Sequence, residues 1–88
     1  MSLVTGVNKI FEHQGKEYHL QAEDLGSDIA AFEARVYDGG SVLWLKRIPY
    51  ADLEAKGLPK AERNQALRTQ MEKTILTVQA AITKGKIG

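Results

Sequence analysis

The sequence predicts an α+β fold: an antiparallel three- to four-stranded meander followed by one long C-terminal helix packed on one sheet face. Three observations predict it. Up to about Tyr50 apolar residues recur at every second position, whereas from Pro59 onward Leu67, Met71, Ile75, Val78 and Ile82 recur at the three-and-four spacing of one helical face. Glycines punctuate the first half at Gln14-Gly15 and at Asp38-Gly39-Gly40-Ser41, where strand pairs would reverse. The 88 residues, 43% hydrophobic and 26% charged, fit one ordered domain with a modest core and leave no room for two.

The elements follow in order. Residues 7–13 and 16–24 flank Gln14-Gly15 and read as a first hairpin. Tyr18, Leu20 and Ala22 alternate with His19, Gln21 and Glu23, the pattern of a half-buried strand. Leu25-Gly26-Ser27-Asp28 is a turn. A third strand over about 29–37 alternates Phe32, Ala34 and Val36 with Glu33, Arg35 and Tyr37, and a fourth runs over about 42–48. With Gly39-Gly40 at the centre of the turn, regular pairing sets Tyr37 against Val42, Arg35 against Trp44 and Glu33 against Lys46. The other face then carries Val36–Leu43 and Ala34–Leu45, with Phe32 opposite Arg47.

Pro49 has no amide hydrogen for a ladder and ends the last strand. Tyr50 to Gly57 has room for one helical turn anchored by Tyr50 and Leu53. Pro59 suits the first position of a helix over about 59–84, and Gly85 suits its stop. Such a helix is ~39 Å long, but its apolar stripe from Leu67 to Ile82 covers only ~23 Å. The first two turns, with Lys60, Arg63 and Asn64, should therefore overhang the sheet or reach acidic residues such as Asp52 and Glu54.

Composition narrows the function classes. Cysteine is absent, so disulfides and thiolate metal sites are excluded. No basic n-region followed by an apolar stretch opens the sequence, and no apolar run approaches the ~20 residues of a membrane span. Net charge is +1, unevenly placed: residues 1–58 hold six Lys/Arg against nine Asp/Glu, and residues 59–88 six against two. Phosphate-loop, dinucleotide, nucleophile-elbow, zincin and calcium-loop motifs are missing. No catalytic residue, cofactor or enzymatic activity is expected at this length without a second layer to form a cleft.

Three surfaces remain. Trp44, sharing a face with Arg35, Tyr37, Val42 and Ile48, would form an apolar patch opposite the helix; with Lys60 and Arg63 at the helix start it is the expected interface for a homodimer or another protein. Arg35, Lys46 and Arg47, or the basic helix start, offer a nucleic-acid alternative, although the helix cations are scattered around its circumference. His13, Glu17 and His19 offer a metal-binding alternative that depends on register. A three-residue loop Gln14-Gly15-Lys16 brings the histidines to one face, while a two-residue loop Gln14-Gly15 puts them on opposite faces.

Residues 15–24, Gly-Lys-Glu-Tyr-His-Leu-Gln-Ala-Glu-Asp, and the hairpin from Arg35-Val36-Tyr37-Asp38-Gly39-Gly40 to Lys46-Arg47-Ile48-Pro49-Tyr50 resemble two segments of a group of small bacterial proteins. The resemblance covers about forty residues. It implies a sheet-plus-helix domain and a bacterial, cytoplasmic setting, and it carries neither an activity nor functional residues.

Overall fold

A computed structural model describes residues 6–87. Four strands, β1 (Val7–His13), β2 (Lys16–Asp24), β3 (Ala31–Asp38) and β4 (Ser41–Pro49), form one antiparallel meander in the order β1-β2-β3-β4. A short helix α1 (Ala51–Ala55) and a long helix α2 (Lys60–Thr83) follow. α2 packs on one face of the sheet, over β1, β2 and β3.

Both hairpins turn in two residues. Gln14 and Gly15 take φ values of 52° and 78°, and Gly39 and Gly40 take 57° and 87°. Two consecutive positive φ angles give the turn whose twist matches paired strands. The first hairpin therefore sets His13 against Lys16 and Phe11 against Tyr18. The third strand begins at Ala31 rather than near 29. The chain first closes a turn in which the amides of Ile29 and Ala30 donate to Gly26 O, at 3.2 and 2.8 Å, and Ala30 takes φ 54°.

The second hairpin departs from regular pairing. Tyr37 pairs with Val42, but Val36 pairs with Trp44, so Leu43 has no partner across β3. This β-bulge advances the rest of β4 by one residue and reverses the face of every side chain beyond it. Arg35 now opposes Leu45, Ala34 opposes Lys46, and Phe32 opposes Ile48. Regular pairing would have set the Arg47 guanidinium against fully buried Phe32. The bulge replaces it there with Ile48 and moves Arg47 to the open face, where it meets Glu33 at 3.1 Å. The shift brings Ile48 beside Phe32 and Trp44 beside Val36, in place of Arg47 and Leu43, while Lys46 rather than Leu45 comes to oppose Ala34; apolar burial at the first two pairs favours it.

The core lies between the sheet and α2. Tyr18, Leu20, Ala22, Phe32, Ala34 and Val36 supply the sheet side; Leu67, Met71, Ile75, Val78 and Ile82 supply the helix side, all buried. Pro59 caps α2 rather than opening it: its carbonyl accepts the Arg63 amide at 2.9 Å. At the far end Gly85, at φ 74°, donates to Ile82 O and Lys86 to Ala81 O. These two bonds satisfy carbonyls of the last turn, as the expected glycine stop requires. Among the described residues no helix is long and apolar enough to cross a membrane.

Candidate functional site

The two-residue turn decides the first hairpin. His13 falls on the helix side of the sheet, with its ring stacked on Phe11 at 6.1 Å. His19 falls on the open side, where its Nε2 lies 3.2 Å from Asn8 Oδ1 and its ring lies 5.8 Å from that of Tyr37. Glu17 shares the face of His19 but not of His13. The three-ligand arrangement of His13, Glu17 and His19 is therefore not assembled. Among the described residues no group of three His, Asp or Glu side chains could hold a metal ion.

The open face is centred on Arg35. Its guanidinium donates to Glu33 at 2.6 Å, Glu23 at 2.9 Å and Gln21 at 3.1 Å. The Arg35 bond, then that of Arg47, holds the Glu33 carboxyl below its usual range. The bonds to Glu23 and Glu33 in turn raise the Arg35 pKa. Both face cations are thus committed to carboxylates. Around this lattice stand exposed Ile10, Val42 and Leu45 and half-buried Tyr37. A shallow depression of about 500 Å³ runs from Ile10 past Glu17 and His19 to Tyr37.

Two placements expected from the sequence are corrected here. Trp44 and Ile48 do not share the face of Arg35, Tyr37 and Val42; the bulge carries both to the helix side. Leu45 stands on the open face in their place, and the expected Arg35–Trp44 and Glu33–Lys46 pairs do not form. Arg63 is not a surface group either. It is 7% exposed, and it closes a polar knot joining α2, α1 and the end of β2.

The knot has defined geometry. Arg63 Nε donates to Glu54 Oε1 at 2.7 Å, and its Nη2 donates to the Tyr50 hydroxyl and to Ser27 Oγ, both at 3.1 Å. The Tyr50 hydroxyl donates to Asp24 Oδ1 at 2.6 Å, and the same oxygen accepts the Gly26 amide at 2.9 Å. Burial first, then the Asp24 bond, pushes the Tyr50 pKa up to about 12. Burial alone would lower the Arg63 pKa, but its Glu54 and Tyr50 partners outweigh that and raise it. The guanidinium also lies over the Tyr50 ring, 5.2 Å from its centroid. The helix start therefore reaches back to an acidic residue, Glu54, instead of overhanging. Lys60 remains exposed in the preceding turn.

The surface that remains lies on the helix side, beside β4. Because α2 covers β1 to β3, the helix-facing side chains of β4 meet it only along its flank. Trp44 and Ile48 are half-buried; with Val78, Ala81 and Ile87 they make an apolar groove of about 330 Å³. Lys46 and Lys73 line the same groove with Thr74 and Thr77, and among the described residues no acidic side chain does. Among the described residues β4 pairs only with β3, so its outer edge is free along the groove. A second shallow groove lies at the opposite sheet edge, where exposed Leu76 joins Val7 and Ile75.

The groove escapes sequence reasoning because it depends on one unpaired residue. Nothing in Val42-Leu43-Trp44-Leu45 marks Leu43 as the bulge. The available signal was Arg47 opposite Phe32, a mismatch that regular pairing leaves in place. No family model, curated protein or solved structure matches the chain.

Proposed function

We propose that this protein is a non-enzymatic protein–protein interaction module whose working surface is the groove between β4 and α2. One observation carries the reading: a sheet edge that has no neighbour among the described residues borders an apolar wall that the protein's own helix covers only in part. A strand edge of this kind is a template for another chain, and apolar surface beside it supplies the driving force.

A second reading, homodimerisation through the open face, is favoured by exposed Ile10, Val42 and Leu45. It is the weaker one, because that face sets Glu12, Glu17, Glu23 and Glu33 against Arg35 and Arg47 and is net acidic. Two copies packed face to face would confront like charges. The same balance opposes nucleic acid, since Arg35 and Arg47 are spent on carboxylates and Lys46 lies on the other side of the sheet.

Panning a displayed random-peptide library against the wild type and against Ala81→Arg, which fills the groove, tests the reading. Peptides that bind the wild type and lose affinity for Ala81→Arg are expected. No enrichment, or binders indifferent to Ala81→Arg, would contradict it. Sedimentation at high micromolar concentration decides the second reading: a dimer that Leu45→Lys dissociates would move the working surface to the open face.

A further inference from the structure

Resting on the groove as working surface, we infer that its partner is an extended, acidic segment of another protein, added as a fifth strand along β4. The segment would carry an apolar, an acidic and an apolar residue at alternate positions. The argument begins with the edge. Beyond the bulge, β4 pairs regularly with β3 from Trp44 to Pro49, so its outer backbone groups up to Ile48 stay in regular alternation. A strand added there lies ~4.8 Å from β4 and directs every second side chain into the groove.

The groove specifies those side chains. Along β4 the helix-facing positions are Trp44, Lys46 and Ile48. Directly opposed residues on a shared face interact most strongly, so the complement of this run is apolar, acidic, apolar. The helix flank gives the same answer: Val78, Ala81 and Ile87 offer apolar contact, while Lys73 adds a second cation. Among the described residues neither Lys46 nor Lys73 has an ion pair, whereas Arg35, Arg47 and Arg63 all do. A carboxylate placed between the two lysines would offset half of the charge that the described residues give the groove.

The same charge disfavours a second copy. Two β4 edges brought together would merge two grooves, each lined by Lys46 and Lys73, with no acidic side chain among the described residues lining either. A helical occupant would leave the β4 backbone edge unpaired, whereas an extended one uses it.

The test is a charge swap on purified protein. The probe is a synthetic nonapeptide whose central five residues are Val-Thr-Glu-Thr-Val, flanked by two Thr on each side; its counterpart carries Lys in place of Glu. Binding is followed by amide chemical shifts of the labelled protein. The wild type should bind the Glu peptide at least tenfold more tightly than the Lys peptide, with shifts concentrated in Trp44–Ile48 and around Val78 and Ala81. Lys46→Glu, an exposed change that leaves the core intact, should reverse that order of preference. Equal affinities, an order unchanged in Lys46→Glu, or saturable binding of a helical peptide would overturn the inference. Self-association that competes with the Glu peptide would overturn it as well, in favour of a second copy. Library peptides that need the open groove but ignore the Lys46 charge would sink this inference and leave the interaction reading standing. Loss of all groove-dependent binding would sink both.

Discussion

The Tyr50 hydroxyl sits between Asp24, to which it donates, and Arg63, which donates to it. It lies near the start of α1 and links the end of β2 to the first turn of α2. Tyr50→Phe keeps the ring and deletes both bonds. Urea unfolding at neutral pH should show a loss of about 1–3 kcal/mol, the usual cost of removing one partner from a buried polar set. A pH dependence follows from the raised pKa. The folded state keeps the Tyr50 proton up to about pH 12, while the unfolded chain releases it near its ordinary value of 10.0. The neutral form is the one the fold stabilises, so this contribution is complete below that ordinary value. It is lost as pH rises from there toward 12. Between pH 8 and 11 the wild type should therefore lose more stability than Tyr50→Phe; equal losses would show that the hydroxyl is not held by the fold.

At the scale of elements, the bulge at Leu43 decides which side of β4 faces the helix. Deleting Leu43 removes the unpaired residue and leaves every pair from Val36–Trp44 onward in register. The deletion variant should fold with the same faces and differ from wild type by no more than about 1 kcal/mol in urea unfolding. Severe destabilisation would mean that the bulge itself is needed, not merely tolerated. Regular elements were legible because each repeats its own evidence. Five apolar residues at helical spacing fix the buried face of α2, and Tyr18-Leu20-Ala22 fixes that of β2. Gly39-Gly40 marked its turn because consecutive positive φ angles demand such residues. The bulge has no such repetition: it is a single residue whose placement is settled by what lies opposite, here Phe32. Arg63 was legible in part: its reach to Glu54 was one of the two expected outcomes, but its burial was not foreseen. Its partners lie on two other segments, Tyr50 and Glu54 on α1 and its cap and Ser27 in the turn after β2, and no local spacing announces that Tyr50 and Ser27 converge on it.

Across the whole molecule, a helix that covers three strands of four leaves a defined remainder. One sheet face is a lattice of paired charges with scattered apolar residues, and one flank is an apolar groove where, among the described residues, two lysines have no ion pair and the strand edge has no neighbour. The charge asymmetry of the sequence thus resolves into surfaces. Four carboxylates of the strand half stand on the open face, and Arg63 of the helix half is consumed by Glu54. Lys73 and Lys46, one from each half, meet at the groove. Everything proposed for function depends on Trp44 lying on the helix side. The most direct measurement is therefore the set of nuclear Overhauser contacts from the Trp44 indole in the folded protein. Contacts to the methyl groups of Val78 and Ala81 are predicted, with none to the Tyr37 ring. Contacts to Tyr37 and the Arg35 side chain, without any to Val78 or Ala81, would restore regular pairing of β3 with β4 and remove the groove on which the account rests.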